Sequence, residues 1–273
     1  MRAHHIKTLS FSDLHKRMVL VTLKQQSYSM CNKVRRGRVK SDEPELYELQ
    51  NLLSGDNSNM LDLYNLLVYT KRDFLDLSLP WGEDDNTRAV PVGVYPVVSS
   101  NLVKHRGDLF NKAQQTIEAL DPSLHATLEQ MSHLAWYAHP LPDTFDPLDS
   151  EDIDILSDTY HEFQVIAMEA VWKRLKDKFD LVDRVVIEGL VENKSVNFKQ
   201  SSLVNLKEAI IHASMSNFLM DVDLERTLSL INLVFEDVER FSDVRRFEDL
   251  KERVILGSAE IRACLIDGIK KYQ

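Results

Sequence analysis

The chain is poor in the residues that interrupt helices. Its 273 residues include eight prolines and eight glycines. All the prolines fall between Pro44 and Pro147, so the last 126 residues have none, and that stretch holds only Gly189, Gly257 and Gly268. An interior proline costs a helix roughly 3 kcal/mol and a glycine about 1 kcal/mol, so the second half predicts long, unbroken helices. Cysteine is equally scarce. Cys31 and Cys264 stand far apart, and neither belongs to a CxxC or Cys/His cluster. That excludes a disulfide scaffold and predicts two free thiols in a reducing, intracellular setting. Long apolar runs are missing too. The longest is Leu134-Ala135-Trp136-Tyr137-Ala138, against about 20 residues for a spanning helix. The first residues lack the apolar core of a secretory signal, and Lys271-Tyr272-Gln273 is no prenylation box.

Charge is abundant but unevenly placed. The chain carries 33 Lys/Arg and 43 Asp/Glu, a formal net charge of −10. Residues 1–40 hold ten of the cations against one acid, Asp13. The remainder therefore carries 23 basic and 42 acidic groups. A basic head on an acidic body predicts an anionic partner for the head, either external or the body itself. Apolar residues at 44% and charged ones at 28% are ordinary for a globular chain.

Start and stop signals divide the chain into helices. Ser10 or Ser12 can cap a first helix with Phe11, Leu14, Met18 and Val21 in its stripe, running toward Lys33. Asp42-Glu43-Pro44 opens a second over Leu46 to Leu53, closed by Gly55. Ser58 opens a third through Leu63, Leu67 and Phe74, ending before Pro80. Residues 81–99 read as an extended connection, because Pro91 and Pro96 oppose a helix and Val90, Val92 and Val94 alternate like an edge strand. Ser100 caps a helix to about Leu120, and Asp121-Pro122 opens another through Leu134. The proline-rich stretch from His139 to Ser150 is the best candidate boundary. Beyond it, Ser150-Glu151-Asp152 caps a long helix with Ile153, Leu156, Tyr160, Phe163, Ala167, Ala170 and Val171 on one stripe. Three further helical patterns cover about 202–220, 223–241 and 243–272.

Residues 183–199 break this regularity. Val185-Val186-Ile187, Leu190-Val191, Val196 and Phe198 surround Gly189 and favour a short hairpin over a helix. The fold expectation is thus predominantly α, a bundle of about eight or nine helices with one short β-hairpin near 183–199. Its parts are a basic arm and first helix over 1–40, a helical lobe over 41–140 and a second lobe over 150–273.

Several active sites are excluded outright. No glycine is followed by lysine, so there is no phosphate-cradling GxxxxGK[ST] loop, and neither G-x-G-x-x-G nor G-x-S-x-G occurs. His161-Glu162 starts like HExxH, but Val165 stands where the second histidine belongs. Glu208 and His212 share a helix face without an evident third metal ligand. The acidic run from Asp143 to Asp154 lacks the glycine and spacing of an EF-hand loop. Asn193-Lys194-Ser195 matches a glycosylation sequon, which carries no weight without a secretory route.

Two constellations remain. The first is Lys33, Arg35, Arg36, Arg38 and Lys40, five cations in eight residues. Such density attracts phosphates by releasing counterions, without reading sequence. It suits nucleic acid, an anionic membrane surface or a nuclear-import receptor, and equally a dock on the protein's own acidic body. An acid-poor head with Arg and Ser leaves a mitochondrial address open beside a cytoplasmic or nuclear one. The second is Asp183-Arg184-Val185-Val186-Ile187-Glu188-Gly189-Leu190-Val191-Glu192-Asn193-Lys194-Ser195. An Asp, a tight turn, then apolar-apolar-Glu-x-Lys resembles the PD-(D/E)xK nuclease signature. The resemblance implies Mg²⁺ held by Asp183 and Glu192 and an attacking water steadied by Lys194. Glu162 or Glu169 could complete such a site. It covers about thirteen residues, and no proline precedes Asp183.

The leading expectation is a non-enzymatic helical interaction or structural protein, nucleocapsid- or matrix-like, needing no cofactor. Its basic arm binds nucleic acid, another anionic polymer or an acidic protein surface, and its body packs or self-associates. The alternative is a Mg²⁺-dependent nuclease centred on Asp183, Glu192 and Lys194.

Overall fold

The computed structural model describes residues 8–25, 58–81, 86–118, 125, 129, 133–141, 150–192, 194, 200–238 and 240–273. The fold is mostly helical with a small antiparallel sheet, and the described residues form eight α-helices, one π-helical segment and four strands. The chain divides into two units, Met18–Leu141 and Met1–Arg17 with Pro142–Gln273. One change of unit follows Arg17 and the other follows Leu141. No helix among the described residues is long and apolar enough to cross a membrane.

The N-terminal unit, Met18–Leu141, holds the sheet. Its strands are β1 (Met18–Lys24), β2 (Leu79–Pro80), β3 (Thr87–Pro91) and β4 (Ala135–Pro140), in the order β2-β3-β1-β4 with every pair antiparallel. Strand β1 is central, with Val21 opposite Arg88 on one side and Ala138 on the other. The first helix was expected to continue through this segment. It stops at Arg17 because Met18-Val19-Leu20-Val21-Thr22-Leu23 is an apolar, partly β-branched run that two neighbouring strands can pair on both edges. Met18, Leu20, Val21 and Leu23 are all buried, so both faces of the strand are covered near its middle. A strand buried on both sides loses its alternation and reads like a helix stripe. Strand β4 begins directly after Leu134, where the expected helix ends, in a segment for which the sequence gives no strand signal. Pro80, Pro91 and Pro140 each close a strand, where a missing N–H costs least.

Two helices complete the unit, α2 (Ser58–Leu77) and α3 (Tyr95–Ile117). Helix α2 starts where Ser58 predicts and buries Met60, Leu63, Tyr64, Leu67, Phe74 and Leu77. Helix α3 starts five residues before the expected Ser100. Pro96 lies in its first turn, where a proline's missing N–H has no intrahelical partner to lose. The extended segment is therefore shorter than 81–99. The helices run antiparallel, since Lys112 reaches Asp62 at 2.9 Å while Asn101 and His105 reach Asp73 at 3.1 and 2.8 Å.

The C-terminal unit is helical throughout its described residues. Helix α1 (Phe11–Arg17) is capped by Ser10, whose Oγ accepts from the Asp13 N–H at 3.2 Å and donates to the Asp13 carboxylate at 2.7 Å. Helix α4 (Ser150–Val186) has 37 residues, about 55 Å of rise. It is followed by the π segment Ile187–Val191, then α5 (Gln200–Met215), α6 (Val222–Phe235), α7 (Phe241–Arg246) and α8 (Glu248–Lys271). Helix α8 packs on both α4 and α6, and α5 packs on α4. The expected helix over 243–272 is in fact two, because Phe247 is extended and opens α8.

Trp172, Phe179, Val182, Leu224, Ile231, Val254, Ile261 and Leu265 are buried in this unit. Two glycines allow close helix contact. A Cβ at Gly268 would lie 2.5 Å from the Trp172 ring, and one at Gly257 would lie 2.3 Å from Val234.

The hairpin expected near 183–199 is not formed by the described part of that stretch. Asp183 to Val186 finish α4, and Ile187 to Val191 continue as a π turn closed by the Glu192 N–H on the Ile187 carbonyl at 2.9 Å. Val182, Val185, Val186 and Leu190 are buried at spacings of three, one and four, so this β-branched run serves a helix stripe that tertiary packing holds in place. Residues 193 and 195–199 lie outside the described residues, as do 1–7 and 26–57, which include Lys33, Arg35, Arg36, Arg38, Lys40 and the second expected helix.

Candidate functional site

Asp183 lies near the C-terminal end of α4 and is 5% exposed. Both its oxygens are taken by one guanidinium. Arg262 of α8 donates from Nε to Oδ2 and from Nη2 to Oδ1, each at 2.8 Å. Two parallel charge-assisted bonds make this a fixed fork between helices. The Asp183 hydrogen bonds push the arginine further toward its charged form.

Glu192 and Lys194 follow the π segment and pair with each other, Nζ to Oε2 at 2.7 Å, at an exposed position. The hydrogen bond to Glu192 raises the affinity of Lys194 for its proton. The structure thus joins Glu192 to Lys194 and Asp183 to Arg262. Asp183 stands on a helix, where the nuclease resemblance needs a strand. Glu169, a possible third carboxylate, bonds Lys173 at 2.8 Å and Gln273 at 3.0 Å, and the Lys173 bond holds it below the usual carboxylate range. Glu162 is exposed. Among the described residues no group of three His, Cys, Asp or Glu could hold a metal ion. Cys264 of α8 is a free, half-buried thiol.

A buried carboxylate centre escaped the sequence reading. Asp221 is the N-cap of α6, accepting from the Asp223 N–H at 3.1 Å. The same carboxylate accepts from Tyr272 Oη at 2.8 Å, Lys271 Nζ at 2.8 Å and Trp172 Nε1 at 3.3 Å. Lys271 also reaches Asp223 at 2.8 Å. Asn217 holds the loop from both sides, accepting from the Asp221 N–H at 2.7 Å and donating to its carbonyl at 3.2 Å. Met220 between them takes a left-handed φ of 54°, an uncommon conformation that the surrounding bonds fix in place. Burial pushes the Asp221 carboxyl up, yet the Lys271 and Tyr272 donors outweigh it and hold the group below its ordinary value. Lys271 is shifted the other way, because its two carboxylates outweigh its own burial. Burial and the Asp221 charge push the Tyr272 hydroxyl well above its normal range. The one sequence signal for this centre was Asn217…Asp221-Val222-Asp223, a turn and cap pattern ahead of an apolar stripe.

In the N-terminal unit the notable side chains lie at the sheet's edge. Strand β4 pairs with β1 alone among the described residues. Its Tyr137 is 55% exposed, and the Lys24 ammonium lies 5.0 Å from the ring centroid. On the neighbouring residue the Arg106 guanidinium lies 5.2 Å from the Trp136 ring. Both are cation–π contacts. His105, buried on α3, bonds Asp73 through Nε2 and meets the Tyr69 ring edge-on, while its Nδ1 has no hydrogen-bond partner among the described residues.

No protein-family model, curated protein or solved structure matches the chain.

Proposed function

We propose that the protein is a non-enzymatic helical interaction protein, nucleocapsid- or matrix-like, that grips nucleic acid through its basic segment. Lys33, Arg35, Arg36, Arg38 and Lys40 are the contacting residues. The segregation of charge carries this reading: ten cations against one acid in residues 1–40, and a 19-charge excess of acid in the rest. Such a head neutralises phosphates and releases their counterions, and makes the basic segment the main electrostatic contact for the polymer. The pairing of Asp183 with Arg262 supports the ranking over metal-dependent cleavage, because the guanidinium bonds both carboxylate oxygens and its positive charge opposes a cation beside them.

The test is a salt titration on the full chain with a labelled oligonucleotide. Replacing Arg35, Arg36, Arg38 and Lys40 together by alanine should weaken binding and flatten the log–log salt slope by about three to four units. An unchanged slope overturns the reading. A lowered melting temperature with unchanged binding would instead assign the segment to the protein's own acidic surface, at about 0–1 kcal/mol per exposed pair.

A further inference from the structure

We infer that the nucleic acid recognised is single-stranded, and that its bases stack on the exposed edge of the sheet at Tyr137 and His139. The inference rests on the proposed function and adds the form of the ligand and a second contact surface. Tyr137 and His139 are two residues apart on β4, so they project from the same face of the sheet, about 6.7 Å apart along the strand. Both are exposed. The register sets Tyr137 beside Thr22 of β1, and Thr22 beside Thr87 of β3. The two threonine hydroxyls bond each other at 3.1 Å, so a polar pair flanks the ring in the same row. Lys24 stands one pair further along that face, its ammonium against the Tyr137 ring.

A ring, a second ring, a cation and a hydroxyl pair on one face match what an unpaired strand needs. Every base has a π-face for an aromatic side chain, and its phosphate needs a cation close by. A duplex offers no free base faces, since its own stacking occupies them. Chain continuity places more cations within reach. Strand β1 ends at Lys24, and Lys33 is nine residues further on, a span of at most about 30 Å. The edge also exposes the opposite face, where Trp136 carries Arg106.

The experiment compares a labelled oligouridine with a duplex of equal length, bound to the full chain over a range of salt. Tyr137→Ala should lower affinity for the oligouridine by about tenfold, leave duplex binding unchanged and leave the salt slope unchanged, because stacking releases no counterions. Tyr137→Phe, which keeps the ring, should bind like the unaltered protein. His139→Ala should give a smaller loss of the same kind. Equal loss on both ligands, or no loss on the oligouridine, overturns the platform. If the fourfold alanine variant flattens the slope while Tyr137→Ala does nothing, the platform fails and the basic segment stands. If Tyr137→Ala weakens oligouridine binding while the fourfold variant leaves the slope intact, the segment fails instead. Absence of binding to either ligand removes both.

Discussion

The two units place their charged and aromatic side chains in opposite ways. In the C-terminal unit the strongest polar groups are enclosed. Asp221 has four donors from three helices and a loop-helix junction, and Asp183 is held by both arms of Arg262. The N-terminal unit buries Lys71, Arg88 and His105 as well, but its cation–π contacts lie nearer the surface, Lys24 on the exposed Tyr137 and Arg106 on the half-buried Trp136. An enclosed carboxylate that accepts from several buried donors binds helices together and offers little to a ligand. An exposed ring beside a cation adds little to stability and keeps a face open. Under the proposed function the C-terminal helices serve stability and the sheet edge serves recognition.

The largest effect that would break this contrast is expected at Asp221. Asp221→Ala leaves Lys271, Tyr272 Oη and Trp172 Nε1 without their shared acceptor, and should cost about 3–5 kcal/mol in denaturant unfolding. A loss below 1 kcal/mol would mean the centre is not the clamp its geometry describes. Its pH dependence has a definite sign. The Asp221 carboxyl sits below its ordinary value in the folded state, so its contribution is present above about pH 4 and fades as pH falls further. Melting curves taken from neutral to acid pH should show a shallower acid loss in Asp221→Ala than in the unaltered chain.

Next comes Gly268→Ala, whose added carbon would fall 2.5 Å from the Trp172 ring. Forcing apart α4 and α8 should cost about 1–3 kcal/mol, read by the same unfolding curves. Gly107→Ala on α3 is the control, because nothing lies within 4 Å of its added carbon. It should stabilise by a few tenths of a kcal/mol, up to about 1.

The smallest expected effect is at the exposed pair. Glu192→Gln and Lys194→Ala should leave the melting temperature unchanged, and neither Mg²⁺ nor Mn²⁺ should raise it. Metal-dependent degradation of DNA or RNA that vanishes in both variants would reverse the ranking of the two functions.

Much of the helical framework was legible because helix signals are local. Ser10 and Ser58 open helices, and every described element of the proline-free second half is a helix. The sheet was not legible for a non-local reason. Whether Met18 to Leu23 is a strand depends on Thr87–Pro91 and Ala135–Pro140 arriving beside it, and no feature of the run announces those partners. The error at 183–191 ran the other way. Val185-Val186-Ile187 prefers strand locally, but continuity with the 37-residue helix and burial of Val182, Val186 and Leu190 decide for helix. Asp221 could be read as a cap, while its role as acceptor for Trp172 and Tyr272 comes from residues some fifty positions away on each side.

Trp172 has a consequence for watching the protein unfold. Of the chain's three tryptophans it alone belongs to the C-terminal unit, fully buried with its indole N–H on an ionised carboxylate, while Trp81 and Trp136 are half-buried in the N-terminal unit. Emission from a variant that keeps only Trp172 reports when the helical unit opens, and one that keeps only Trp136 reports on the sheet edge. Each unit thus carries its own optical probe, and a denaturant series on the two variants separates one cooperative transition from two.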